Sequence, residues 1–238
     1  MTERFYFRQL LSGLDFAFDD PVAEAMVNFV YAFGDRETGE AVLVDPAYRP
    51  AELIDLVEKD DMRVSAVFAT HYHPDHVGGD LGGRAQIAGI VELLEKIDVP
   101  IHVQSDEVEW VTRRTGVGED SLVGHDAGDV VNVGAFDVSL IHTPGHTPGS
   151  QCLLVEGRLL SGDTLFLDGC GRTDLPGSDP QEMYRTLTQR LSDVSDDTVL
   201  FPGHLYSADP SAPMGDVRQH NRALVPASAE QWLAMFAR

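Results

Sequence analysis

The stretch Thr70–Gly79 reads THYHPDHVGG and places His71, His73, Asp75 and His76 within six positions. A lone histidine is commonly a surface or core residue. Four metal-capable groups on one loop are not explained by packing, and buried together without an ion they would be costly. The spacing points to two binding sites. His71 and His73 follow the apolar run VSAVFAT directly. Alternate residues of an extended segment point the same way, so these imidazoles can meet one ion. Pro74 then forces a turn that sends Asp75 and His76 toward a second ion. Gly78 and Gly79 let the backbone pass close by without a Cβ.

Three later segments repeat the arrangement. SLIHTPGH ends on His146, RLLSGD on Asp163 and TVLFPGH on His204. In each, an apolar run and a small-residue or Pro-Gly turn precede the candidate ligand. Loops at strand ends converge on one point while a sheet holds them rigid. Five histidines and two aspartates suffice for two ions.

The elements that must position these groups are partly legible. Strand-like runs are Val30–Phe33, Ala41–Val44, Val64–Ala69, Val138–Ile141, Gln151–Val155, Leu159–Leu160 and Thr198–Phe201. Helices are predicted over Pro50–Asp60 and Pro180–Ser192, the latter with Asp179 as N-cap and Glu182 completing a capping box. Ile87–Ile97 and Ala229–Ala237 read as two more. A weak internal repeat emerges: strand, Asp45, helix, strand, His71, then strand, Asp163, helix, strand, His204. It suggests two similar layers facing each other across a seam. Asp45 then either orients a ligand histidine or caps a turn.

The order HxHxDH, His146, Asp163, His204 resembles the metallo-β-lactamase superfamily, from about Asn28 to His204. The resemblance implies an α/β fold, a four-layer α/β/β/α sandwich with the metals at one edge of the two sheets. It implies that His71, His73 and His146 hold one metal, that Asp75, His76 and His204 hold the other, and that Asp163 bridges both. It also implies an enzyme. Two divalent ions, zinc first and iron or manganese as alternatives, generate hydroxide near neutral pH and polarise the bond to be cleaved. Asp75 and Asp163 are the catalytic candidates, as holders of the nucleophile's proton. A thiolate leaves without an acid, because its conjugate pKa is about 8.5.

GDTLF followed by GCGR looks like hydroxyacylglutathione hydrolase (glyoxalase II), so the expected reaction is hydrolysis of a small thioester or ester. That enzyme carries a helical C-terminal domain, whereas here 34 residues follow His204, so a different thiol carrier is expected. Extra residues also lie around Leu81–Ile90. GCGRTD resembles persulfide dioxygenases of the same superfamily too, which use one Fe(II) held by the equivalents of His71, His146 and Asp163. Two histidines plus a carboxylate is the non-haem oxygenase pattern. Lactonase is a third reading. A true β-lactamase is disfavoured by Asp163 at the bridging position, and a non-enzymatic metal-stabilised domain by the completeness of the ligand set.

Around these ligands, Arg172 is a candidate for an anionic substrate group, or for a pair with Asp168 or Asp174. Tyr206 is a candidate hydrogen-bond donor to substrate. Cys170 reads as a small residue in a glycine turn, and His142 either supports His146 or is structural, as His102, His125 and His220 are expected to be.

The bulk numbers fit this reading. A net charge of −22, from 39 acidic and 17 basic residues, repels a phosphate backbone, so a small-molecule substrate is expected and nucleic acid is not. With 43% hydrophobic residues in 238, the chain suits a single domain over 1–238 with a short C-terminal extension from about 205. No apolar run approaches membrane-helix length, so no membrane partner is expected. MTERFYFRQL lacks a basic-then-apolar leader, so the expected location is the cytoplasm. Cys152 and Cys170 are expected as free thiols. The N-terminal aromatics Phe5, Tyr6, Phe7, Phe16 and Phe18 suggest core or subunit contact, and homo-oligomerisation stays open.

Overall fold

In the computed structural model, which describes residues 4–226 and 228–236, the apolar runs become strands buried on both faces. The first sheet contains β1 (Phe5–Leu11), β2 (Phe29–Asp35), β3 (Glu40–Val44) and β4 (Arg63–Phe68). A short hairpin follows, β5 (Gly79–Asp80) with β6 (Gln86–Ile87), and then β7 (Ile101–Gln104) and β8 (Leu122–His125) complete that sheet in the order β1-β2-β3-β4-β7-β8. The second sheet uses β9 (Val130–Val133), β10 (Phe136–His142), β11 (Gln151–Val155), β12 (Arg158–Gly162), β13 (Val199–Pro202) and β14 (Ala212–Pro213). Its order is β14-β13-β12-β11-β10-β9.

Helices α1 (Pro21–Met26), α2 (Pro50–Glu58), α3 (Pro74–Val77), α4 (Ile90–Leu94) and α5 (Val108–Thr115) belong to the first half. Helices α6 (Pro180–Arg185), α7 (Met214–His220) and α8 (Ala229–Phe236) belong to the second.

Three apolar cores separate four layers, as expected for an α/β/β/α sandwich. Along β3 the side chains alternate: Ala41 and Leu43 face α2 and its neighbours, while Val42 and Val44 face the second sheet. Along β11, Leu153 enters the same inter-sheet core, and Cys152 packs toward α6–α8. This period of two with both faces buried is why these strands read as continuous apolar runs. Phe5 and Phe7 of β1 join the inter-sheet core, with Phe5 edge-on to Phe136 at 4.9 Å and Phe7 edge-on to Phe201 at 4.9 Å. Full burial of such a side chain contributes roughly 1.5–3 kcal/mol; Phe5 is buried, and Phe7, Phe136 and Phe201 are half-buried. Of the other N-terminal aromatics, Phe16 is buried and Phe18 exposed.

The suspected repeat is real in topology. β3 pairs parallel with β4 and β12 parallel with β13, so Asp45 and Asp163 each leave the strand before a parallel crossover. His71 and His204 each follow the second strand of their pair. All four therefore gather at one edge of the sandwich.

Several helix predictions need correction. The predicted Ile87–Ile97 helix is only Ile90–Leu94, because Gln86 and Ile87 pair with Gly79 and Asp80 and Glu92 caps the Gly89 N–H at 2.7 Å. The Pro180–Ser192 helix is α-helical to Arg185 and then widens to a π turn over Thr186–Arg190, in which Leu191 N donates to Thr186 O at 3.0 Å. Thr186 Oγ1, tied to Pro144 O at 2.7 Å, holds that turn in place. Asp179 does cap Gln181 N and Glu182 N, but Glu182 closes no capping box; its carboxylate pairs with Arg185 and Arg190. The Pro50–Asp60 helix ends at Glu58. Ala237, the predicted last residue of the terminal helix, lies outside the described residues. Helices α7 and α8 pack on the outer core of the second sheet through Met214, Val217 and Trp232.

Candidate metal centre

β4 delivers Thr70–His73 in extended form, and Pro74 at the first position of α3 turns the chain so that Asp75 and His76 come from a single helical turn. His146 arrives from the loop after β10, Asp163 from the end of β12, and His204 from the end of β13. All six residues other than His73 are buried or nearly so. The seven side chains form two trios. Ligand atoms of His71, His73 and His146 lie within 4.8 Å of one another, as do those of Asp75, His76 and His204.

Asp163 lies between the trios. Its Oδ1 is 3.4 Å from His76 Nε2 and 3.3 Å from His204 Nε2, and its Oδ2 is 3.6 Å from His146 Nε2. Each carboxylate oxygen faces a different trio. Gly171 makes this possible, since a Cβ there would stand 1.9 Å from the Asp163 carbonyl and 2.9 Å from the His146 ring.

The imidazoles are oriented from behind. His76 Nδ1 lies 2.9 Å from Asp45 Oδ2, His146 Nδ1 2.8 Å from Arg172 O, and His204 Nδ1 2.8 Å from Met26 O. Each partner accepts, so each Nδ1 carries the proton and each Nε2 presents a lone pair to the centre. Thr70 Oγ1 donates to Asp45 Oδ2 at 2.7 Å and lies 3.0 Å from His71 Nδ1, which orders His71 in the same way. Asp45 also neighbours His71 and His76 closely enough to form a third candidate trio. Its contact on the Nδ1 side of His76 makes it the orienting carboxylate instead.

The residues fit metal ions. His71 Nε2 and Asp163 Oδ1 are buried without a hydrogen-bond partner, and His146 Nε2 faces His73 Nδ1 at 2.9 Å. Such groups are satisfied by cations between them. The charge balance agrees. Burial, reinforced by neighbouring histidines, holds His71 well below the usual imidazole value, and burial with His146 brings His73 down to about 3. Those rings stay neutral, as metal ligands must be. Burial also opposes protonation of His204, but Asp163 and Asp75 overcome it and push the imidazole up to about 9. There the carboxylates demand positive charge, which a metal ion supplies.

Other predicted residues sit at the rim of a cavity of about 620 Å³ that opens on this centre. Tyr206 lies nearly flat on His204, with ring centroids 4.7 Å apart at 9°, and is exposed. Arg172 lines the cavity but forms a bidentate pair with Asp174 at 2.9 and 2.8 Å. Cys170 also lines it, half-buried, and burial pushes its thiol up to about 12. Cys152 is buried, and both cysteines are free. His142 forms no hydrogen bond with His146 among the described residues; its Nε2 lies 2.8 Å from Pro148 O.

Sequence reasoning missed two residues of the centre. Asn28 Nδ2 donates to Asp75 Oδ2 at 3.2 Å, and Asn28 Oδ1 accepts from Tyr48 OH at 2.7 Å. Glu107, fully buried, accepts Tyr72 N on Oε1 and Gly149 N on Oε2, both at 2.7 Å. It ties the loop bearing His71 and His73 to the loop bearing His146. Neither residue carries a spacing signal, because each reaches the site through sheet order.

Comparison with known proteins agrees with this geometry. A hydroxyacylglutathione hydrolase from Nitrosococcus oceani is 35% identical over 188 residues, which are 77% of this chain and 64% of that protein. A probable polyketide biosynthesis zinc-dependent hydrolase, BaeB, from Bacillus velezensis is 28% identical over 82% of this chain and 80% of its own length. Among solved structures, ETHE1 from Myxococcus xanthus superposes with a TM-score of 0.77 at 26% identity, covering 97% of this chain and 89% of that one. Residues 26–204, the span that holds every candidate ligand described above, match the Metallo-beta-lactamase superfamily, and the chain is a member of it.

Proposed function

We propose that this protein hydrolyses small acyl thioesters with the help of two divalent ions, zinc by preference. The observation that carries the reading is the Asp163 carboxylate, which turns one oxygen to each of two ligand trios. Bound ions of this kind bring the pKa of water toward neutrality and polarise a carbonyl. The rest falls to the chain's own residues. His71, His73 and His146 would hold one ion and Asp75, His76 and His204 the other, with Asp163 between the two trios. Asp75 or Asp163 takes the proton that the attacking water gives up. Asn28 keeps Asp75 turned inward through its 3.2 Å contact.

Met26, Leu81, Phe166 and Leu175 line the cavity and offer an apolar wall for an acyl chain. Tyr206 presents its hydroxyl at the rim, and Arg172 is available to an anionic group once it leaves Asp174. A thiolate departs without a proton donor. The names of the Nitrosococcus and Bacillus relatives support hydrolase chemistry of this kind.

The test is paired. Metal content is measured on protein purified without added metal. Thiol release from a thioester panel and oxygen uptake with glutathione persulfide are then followed on zinc-loaded and iron-loaded protein. About two ions per chain with thiol release is expected. One iron per chain, with rapid oxygen uptake and no thiol release, would replace this reading with the dioxygenase.

A further inference from the structure

Arg114, in the last turn of α5, lines the same cavity and belongs to neither ligand trio. Three arginines line that cavity, and carboxylates already engage two of them. Arg172 is held by Asp174, and Arg222 Nε lies 3.6 Å from Asp168 Oδ1. Arg114 forms no ion pair among the described residues. Its Nη1 donates to the backbone carbonyl of Asp80 at 3.1 Å, and its Nε is buried with no acceptor. The Asp80 carboxylate is turned onto Gly83 N, at 2.8 and 3.0 Å. In a chain of net charge −22, this pocket keeps a cation without a counter-ion. A half-buried guanidinium with unused donors is completed by a planar anion.

The arginine is also held in place. Gly79, the second glycine of HVGG, has φ +113, and a Cβ there would stand 2.8 Å from Arg114 O and 3.2 Å from its Cδ. The glycine thus lets the arginine stem lie against the loop that carries the metal ligands. Above the stem, the guanidinium carbon sits 5.6 Å from the centre of the Tyr72 ring. That ring stacks on Trp110 at 5.0 Å, and its hydroxyl donates to Pro176 O at 2.8 Å. The Tyr72 ring also meets the His73 ring at a steep angle, 61°, with 4.6 Å between centroids. The cation therefore stands two ring contacts from a ligand of the histidine trio, in the cavity where a substrate must lie.

We infer that Arg114 is a specificity-determining residue that binds a carboxylate of the substrate, so the preferred substrates are anionic thioesters. The inference rests on the hydrolase reading above and names the substrate class for it.

Zinc-loaded protein is assayed with three thioesters: butyryl-N-acetylcysteamine (neutral), succinyl-N-acetylcysteamine (carboxylate on the acyl group) and S-butyryl-3-mercaptopropionate (carboxylate on the thiol). Binding is measured separately, by calorimetry, with the uncleavable thioether counterparts. Arg114→Gln is expected to lose on the order of tenfold or more in kcat/KM and in affinity for one carboxylate-bearing arm, and less than twofold for the neutral one. The arm affected says which side carries the anion. Arg114→Lys, which keeps the charge but not the fork, should fall between, and metal content should be unchanged in both variants. Equal losses on charged and neutral compounds, or no loss, would overturn the inference. Thioether binding that is carboxylate-selective and lost in Arg114→Gln, with no thioester cleaved, would support this site while rejecting the hydrolase reading.

Discussion

Asp45 Oδ2 lies 2.9 Å from His76 Nδ1 and accepts the Thr70 hydroxyl at 2.7 Å, so one buried carboxylate sets the proton positions of two histidines of the candidate metal centre. His76 is ordered directly and His71 through Thr70. An amide at this position would place an N–H where His76 now donates, and the ring would have to accept on Nδ1 and carry its proton on Nε2.

Asp45→Asn should therefore lower metal affinity on the order of 10- to 100-fold, the usual cost of losing a partner behind a ligand. The left-handed backbone of Asp45, φ 55, is one that asparagine adopts readily, so the fold should survive. Competition against a chromogenic chelator measures the effect. Wild-type affinity in the variant would show that the carboxylate serves only the turn at Thr70.

Glu107 gives a prediction in pH. Burial pushes its carboxyl up to about 7, although its bonds from Tyr72 N and Gly149 N favour the charged form. The unfolded chain ionises the same group near about 4.3. The folded state binds the proton more tightly, so this contribution to stability is complete below about pH 4.3 and is lost as pH rises toward 7. The metal-free protein should lose on the order of 3 kcal/mol across that window through this group. In Glu107→Gln that part of the slope should vanish. Because glutamine can accept only one of the two N–H groups, metal bound by the His71–His73–His146 trio should also weaken. Denaturant midpoints at pH 5 and 7 for both proteins, with metal counts, decide the matter; parallel pH slopes would remove Glu107 from the account.

Arg172 contributes to the centre through its backbone, whose carbonyl holds His146 Nδ1 at 2.8 Å. Its side chain is exposed and bound to Asp174, a solvent-screened surface pair that opens at little cost. Arg172→Ala should thus leave metal content intact and raise KM for anionic thioesters a few-fold, a smaller effect than at Arg114. Unchanged kinetics across the panel would reduce the side chain to a surface ion pair.

The candidate ligands, which the fold does gather, were readable because they are local events. Each follows an apolar run and a turn within a few positions, and the HxHxDH spacing needs no knowledge of distant contacts. The strands that carry them were readable too, since burial on both faces leaves unbroken apolar runs such as Ala41–Val44. Even the parallel crossovers showed as a faint repeat of aspartate and histidine. What only the tertiary structure decided was what stands behind and beside those ligands. β4 lies parallel to β7, with Phe68 opposite His102, and this places Glu107 beside Tyr72 across 35 positions of sequence. The same packing seats the Arg114 stem on Gly79 and its guanidinium on Tyr72. Nothing in the sequence sets Glu107 and Arg114 apart from the chain's other charges, because periodicity records which face of an element is buried and carries no record of which charged group a neighbouring strand will bring to it.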